Sequence, residues 1–505
     1  MKKITDRDVI AIYESYKKRI PDEIKKGNFE YASSLIEKAS KWAVLFNFTY
    51  FDNELEDYIR QIANRLLTVQ SSEIIPGRLV FVCSQLNDAG ELVRHYARAI
   101  ADNNIPTRMI VINRISYCSN SLKEIQSFKN IDLKIISPKL GYVETAKLVA
   151  LYVSEFKPEK MLLHLVPNEV KCLIGLSLFP SIPKYNINYT DHTFWLGASF
   201  LDINIEFRRA GCHISYNKRN IDFKKLRILP YYPITENPHT FCGFPFDRKG
   251  KIVIFSGGMP YKVIGDDDRY FKTLDRILLE NKNSLALISI NTSVVKDKVR
   301  MMKCRDRVYL VPWRNDILEL MSKIDIFYGT YPVGGGLTSQ IAAIYKKPIL
   351  SFTRKGWVLS AMDGLFNYSG IDYYDTDSLC DYAHRLCVDE TFRINEGLKL
   401  HNLLITREKF SIIFRDIISD TSITTIPHFE NEDIDYERLK AFYLNYANET
   451  KQYLYFLITE DGLSAFIKYP QFSVGFLKLI LSRFPLWLKN RFVGLIYRIC
   501  QKKKN

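Results

Sequence analysis

Apolar positions change their spacing once along this chain. Through YASSLIEKASKWAVLF and ELEDYIRQIANRLLTV, within residues 1–72, they recur every three or four positions, the period of a helix with one buried face. From Arg78 the pattern becomes short runs rich in β-branched residues: RLVFVCS, TRMIVINR, LKIISP, KMLLHLV, YNINYT and INIEF. Helical stretches such as ELVRHYARAIADN and TAKLVALYVSEF lie between them. Strands alternating with helices make parallel crossovers and a sheet covered on both faces. A Pro-rich segment, LPYYPITENPHTFCGFPFDRKG, reads as a linker. The alternation then restarts with KIVIFSG, RYFKTLDRILLEN, SLALISI, RVYLVP, IDIFYGT and PILSF.

The pattern predicts a helical cap over 1–72, an α/β domain over 73–235, a second over 248–425 and a helical segment over 426–505. Two such Rossmann-like domains face one another across a cleft. In open α/β sheets ligands sit beyond the carboxyl ends of the strands, so the loops that follow strands carry the chemistry.

Three of those loops stand out. SQLNDAG, with Asn87 and Gly90, follows RLVFVC and precedes a helix. SGGMPYK, with Gly257, Gly258 and Lys262, follows KIVIF. TYPVGGGLTSQ, with Gly334, Gly335, Gly336, Thr338 and Ser339, follows IDIFYG. None matches the dinucleotide fingerprint or the phosphate loop ending in Gly-Lys-Ser/Thr, which argues against hydride transfer and phosphate-loop ATPase chemistry. The second and third loops can hold a diphosphate. Bare glycine amides, two hydroxyls in a helix's first turn and a lysine opposite them are complementary to a pyrophosphate. The competing reading is that the glycines only permit a tight turn and that Thr338 caps the helix.

From about Lys251 to Phe352 the sequence resembles the nucleotide-sugar half of GT-B glycosyltransferases, and within these the O-GlcNAc transferase and HMW1C-like branch. The resemblance lies in Tyr261 and Lys262 after the first strand, the spacing to NSLALI, and RVYLVPWRNDILELMSKIDIFYGTYPVGGGLTSQIAA. It implies a GT-B fold, with Lys262, Thr338 and Ser339 on the diphosphate of a UDP-sugar, no cofactor beyond that co-substrate and no bound metal. Where that family commonly carries a ribose-holding acid, this chain has Gln340, Ile341 and Ala342. The tetratricopeptide array of the eukaryotic O-GlcNAc enzymes is missing as well.

The first domain supplies the acceptor side. NINYTDHTFWLGASFLDINIEFRRA sets Asp191 and His192 just after a strand. An inverting sugar transfer needs a base at the acceptor hydroxyl, and His is the side chain most often tuned for it. His164, inside MLLHLVPNE, reads as a core histidine. Arg208 has two readings, a phosphate contact or a pair with Asp202. The acids Asp266, Asp267 and Asp268 precede a helix, where they meet its N-terminal dipole, rather than forming a metal site.

Charge changes the picture at one end only. Of the net +15, the segment after Asp461 supplies nine cations and no acid. FSVGFLKLILSRFPLWLKNRFVGLIYRICQKKKN is basic, aromatic-rich and has no apolar run near the ~20 residues that span a bilayer. It suits the face of an anionic membrane, or part of it packs as closing helices. No motif points to nucleic acid. Nine cysteines without a C-x-x-C pair, and an N-terminus with charges throughout, point to free thiols and a cytoplasmic protein at the inner membrane face.

The sequence thus leads to a glycosyltransferase moving a sugar from a nucleotide diphosphate to a hydroxyl, in surface polysaccharide or glycolipid assembly. The alternatives are a protein O- or N-glycosyltransferase and a non-catalytic nucleotide-sugar-binding protein.

Overall fold

The structure is a computed structural model that describes residues 2–66, 73–86, 91–115, 119–236, 239–366, 370–420 and 433–483. The chain divides into two compact units, residues 49–435 and residues 1–48 with 436–505.

The larger unit holds two sheets. Strands β1 (Leu79–Leu86), β2 (Thr107–Ile115), β3 (Ile131–Ile135), β4 (Lys160–His164), β5 (Lys184–Ile187), β6 (Ile203–Glu206) and β7 (Leu226–Ile228) run in the order β3-β2-β1-β4-β5-β6-β7. Strands β8 (Ile252–Gly257), β9 (Ser284–Ser289), β10 (Val308–Leu310), β11 (Ile326–Tyr328), β12 (Ile349–Phe352) and β13 (Asp372–Tyr373) follow as β10-β9-β8-β11-β12-β13. Every pairing in both is parallel, which the unbroken apolar runs require, because strands buried on both faces carry no polar alternation. β8 lies between β9 and β11, with Phe255 opposite both Leu287 and Phe327. Strand order reverses there, so the crevice for a ligand opens at the carboxyl ends of β8 and β11.

β7 and β13 were not expected. At three and two residues they are too short to show a period. The Pro-rich segment is no loose linker over its first half. Tyr231 is buried in the core of the second sheet, whereas Tyr232 and Ile234 are buried in that of the first. In its second half Phe241 meets Phe244 edge-on and Phe244 stacks on Phe246, whose ring lies 4.6 Å from Tyr309 on edge strand β10.

Helix Arg407–Ile418 follows the second sheet in sequence, yet Phe410, Phe414 and Ile417 lie in the core of the first. Arg407 and Ser411 pin it there through Asp102, at 2.6 and 2.8 Å. Helix Asn53–Leu66 also belongs to the larger unit, apart from the helices before it. Its buried Glu56 accepts the amides of Gly197, Ala198 and Ser199 at 2.7, 3.0 and 2.8 Å.

The smaller unit joins helices Asp6–Lys17, Ile20–Lys25 and Phe29–Phe46 to the helices from Tyr436 onward. Fully buried Trp42 donates to the Val9 carbonyl (2.9 Å) and meets the Phe456 ring at 5.1 Å. Asn448 closes both backbone groups of Ile4, at 2.9 and 3.0 Å. No helix among the described residues is long and apolar enough to cross a membrane.

His164 is 5% exposed at the end of β4, its Nδ1 3.1 Å from the Ile187 carbonyl. Burial pushes its pKa down to about 4. The folded state therefore keeps this ring neutral while the unfolded chain protonates it near 6.5, so stability is present at pH 7 and lost as pH falls from 6.5 towards 4. The loss amounts to about 3 kcal/mol across that window. Urea midpoints of the wild type should fall accordingly between neutral and mildly acid pH, and those of His164→Gln should fall less.

Candidate active site

Lys262 leaves β8 on a short 3-10 turn, Pro260–Lys262, and its stem passes over Gly258. A Cβ there would stand 3.3 Å from Lys262 Cδ and 3.4 Å from Thr330 Cγ2. The ammonium donates to the Gly334 carbonyl at 3.2 Å, and the Lys262 carbonyl accepts the Val333 amide at 3.3 Å. The two strand tips at the order reversal are therefore joined directly. Burial lowers the pKa of Lys262 from its ordinary value.

The three glycines divide by cause. A Cβ on Gly334 would lie 2.4 Å from Met362 Cε and 3.2 Å from the Ser360 Cα, and one on Gly336 would lie 2.6 Å from the Tyr231 hydroxyl. Close packing accounts for both. Gly335 has no such neighbour. Its Cβ would meet nothing nearer than Thr338 Oγ1 at 3.6 Å, Thr330 Oγ1 at 3.7 Å and Lys262 Nζ at 3.8 Å. The missing methyl leaves a space bounded by two hydroxyl oxygens and one ammonium. Gly335 is also the N-cap of helix Gly336–Ile344, whose first-turn amides have no intrahelical acceptors. Gly257 sits at the end of β8, tight against the Phe255 ring.

Ser339 does not join this group. It is 1% exposed, and its hydroxyl is buried without a hydrogen-bond partner. Successive residues on a helix point about 100° apart, so with Thr338 turned back over Gly335 its neighbour faces the interior. Thr330 stands in the place expected of Ser339, its own hydroxyl donating to the Val333 carbonyl at 2.7 Å. Its signal was its position directly after IDIFYG. Gln340 is wholly buried, with Nε2 on the Tyr231 carbonyl at 2.9 Å.

In the first half, Asp191 and His192 follow β5. Asp191 is 1% exposed and its Oδ1 lies 2.8 Å from His192 Nδ1. Arg208 pairs with this carboxylate through both Nε and Nη2, rather than with Asp202, whose Oδ2 accepts the Lys184 amide at 2.9 Å. Burial alone would raise the Asp191 pKa, but Arg208 and His192 hold it well below the usual carboxylate range. Arg219 fixes the backbone, donating to the carbonyls of Asp191 and Thr193 at 2.9 and 2.7 Å. Gly211 permits the close fit beneath: a Cβ would lie 2.4 Å from Glu206 Oε2 and 3.1 Å from Asp191 Cβ.

The remaining Arg208 nitrogen reaches into the second half, to the carbonyls of Val358 (2.9 Å) and Ala361 (3.1 Å). Between those two, the Leu359 carbonyl accepts the Gly334 amide at 2.7 Å. A continuous path therefore runs from His192 through Asp191, Arg208 and the 358–361 segment to Gly334 and Lys262. A cavity of about 270 Å³ opens beside it, lined by Arg208, Arg354, Trp357, Val358 and Tyr374 among others.

Asn87 and Gly90 lie outside the described residues. The three acids before helix Arg269–Glu280 each take a different cation: Asp266 pairs with Arg354 (2.8 Å), Asp267 with Lys272 (2.7 Å) and Asp268 with Lys298 (2.5 Å). Among the described residues no cluster of His, Cys, Asp and Glu is arranged to hold a metal ion.

Two parallel sheets, helices on their faces, and a closing helix that returns from the second half to the first make this a GT-B glycosyltransferase fold. A mutant O-GlcNAc transferase of Thermobaculum terrenum superposes with a TM-score of 0.53 at 14% identity, over 86% of this chain and 83% of that one. A glycosyltransferase of Rickettsia africae superposes with a TM-score of 0.50 at 12% identity, over 68% and 99%. No protein-family model and no curated protein sequence matches the chain.

Proposed function

We propose that the protein is a glycosyltransferase that takes a sugar from a nucleoside diphosphate, UDP first among them, and delivers it to a hydroxyl acceptor. The supporting observation is the space at Gly335, where Lys262 Nζ, Thr330 Oγ1 and Thr338 Oγ1 converge on one point 3.6–3.8 Å from each. A phosphate oxygen entering that space and moving toward Lys262 takes a charge-assisted hydrogen bond from the ammonium, with the Thr338 hydroxyl as a second donor and a helix N-terminus beside it, while the Thr330 hydroxyl proton stays on the Val333 carbonyl.

His192 takes the acceptor proton. Its Nδ1 is held by the Asp191 carboxylate, so proton transfer falls to Nε2. The acceptor oxygen attacks the anomeric carbon, the bond to the diphosphate oxygen breaks, and the charge that develops on the leaving diphosphate is met by Lys262. A single displacement of this kind inverts the anomeric centre. No metal is assigned a step.

The acceptor is a glycan or lipid-linked glycan at an anionic membrane surface. The sequence after Asp461, with nine cations and no acid, supports that placement. A thermal-shift panel of UDP-, GDP-, CMP- and dTDP-sugars tests the donor, because a ligand that binds only the native state raises the unfolding temperature. A shift with one diphosphate-linked donor, and transfer of its labelled sugar to glycolipid extracts, is the expected result. Labelled protein with no labelled glycolipid would move the acceptor to a side chain. Binding without any transfer would leave a sensor.

A further inference from the structure

The smaller unit carries an apolar surface turned outward. Helix Gln452–Asp461 ends at Gly462 (φ +59°), and a 3-10 turn, Gly462–Ser464, runs straight into helix Ala465–Lys468. Another turn, Pro470–Phe472, leads to helix Ser473–Arg483. The inward side of this bend is well anchored. Ala465, Tyr469, Phe472 and Phe476 are buried, and Phe476 meets Phe466 at 5.3 Å while Phe472 meets Tyr453 at 5.3 Å.

The outward side is also apolar. Leu463 is 80% exposed and Ile467 85%. Four residues apart on one helical run, they project to the same side. Val474, in the first turn of the next helix, is 64% exposed. Single exposed aliphatics are ordinary on a protein surface. Here two large ones crown a bend whose opposite side is already satisfied by packing, so the fold itself does not call for them.

Charge decides what covers them. Asp461 is the last acid of the sequence, and its side chain is 3% exposed. It is paired with Lys468 at 2.7 Å and accepts the Tyr16 hydroxyl at 2.7 Å. Beyond it the sequence carries no further acid, while Lys478, which is exposed, Arg483, Lys489, Arg491, Arg498, Lys502, Lys503 and Lys504 add cations to that of Lys468. Aliphatic tips at the start of a sequence that carries nine cations and no acid complement acyl chains beneath anionic headgroups.

We propose that the bend Gly462–Lys468 is an interfacial wedge, with Leu463 and Ile467 entering the acyl boundary of an anionic membrane while the neighbouring cations meet lipid phosphates. The inference refines the membrane placement above and is independent of the sugar chemistry.

The test is flotation of the full-length protein with phosphatidylcholine vesicles, with and without phosphatidylglycerol. The wild type should float only with the anionic vesicles, and Leu463→Ser/Ile467→Ser should partition about tenfold more weakly. Both positions are exposed, so the double variant should keep the wild-type unfolding temperature. A Leu463→Cys variant carrying an environment-sensitive fluorophore adds a local readout, and its emission should shift blue on anionic vesicles. Absence of wild-type flotation would overturn the membrane placement and the wedge together. Flotation equal in wild type and double variant, or an unshifted probe on floating protein, would overturn the wedge alone. A probe already shielded without vesicles would show that the chain's own last residues or a protein partner covers the site, and would overturn it too.

Discussion

Lys262→Ala should lower donor turnover by about 10²–10³-fold, the effect of removing one fixed charge from a developing oxyanion in a water-poor site. Lys262 is the cation at the Gly335 space, and burial has already lowered its pKa, so its stem is partly desolvated before any ligand arrives. The ammonium donates to the Gly334 carbonyl, and a diphosphate would compete for the same donor. Turnover and diphosphate affinity should therefore fall together. Initial rates with labelled donor, and calorimetry with UDP, measure the two. A variant with wild-type kinetics would remove Lys262 from the site.

The second large effect separates binding from chemistry. His192→Ala should cost about 10²–10⁴-fold in kcat, the usual contribution of a positioned general base, with diphosphate affinity unchanged. Asp191 and Arg208 remain paired without the ring, so the 358–361 segment that Arg208 holds, and the Gly334 amide bound to it, should stay in place. Single-turnover transfer alongside UDP titration gives both quantities. Unchanged transfer would assign the proton to another group. Lost UDP affinity would make the Asp191–His192 pair structural.

The sheets were legible because buried parallel strands leave continuous apolar runs; only β7 and β13, too short to carry a period, were missed. The meeting of Lys262 with the glycines was legible for the same reason, since each follows such a run. What the sequence concealed lies in long-range contacts. Nothing local in REKFSIIFRDII says that it packs on the first sheet, and nothing in the Tyr436 helices says that they pair with residues 1–48. Both acids precede Arg208 in the sequence, and only folding selects Asp191 over the nearer Asp202. The Thr338–Ser339 pair misled because adjacency in sequence is divergence on a helix, and the second hydroxyl comes instead from Thr330, eight positions earlier.

The division among the glycines yields the most direct experiment. At Gly335 the backbone φ is −114°, which alanine adopts without strain, and its methyl would touch no protein atom closer than 3.6 Å. Stability should change by no more than about 1 kcal/mol, as the unfolded-state gain offsets the weaker N-cap. The methyl would nevertheless occupy the space between Lys262, Thr330 and Thr338. Calorimetric titration of the nucleoside diphosphate that gives the largest thermal shift into wild type and Gly335→Ala should show affinity at least about tenfold weaker in the variant at a near-identical unfolding temperature. Equal affinity in the two proteins would mean that no phosphate enters that space, and the assignment of the site would be wrong.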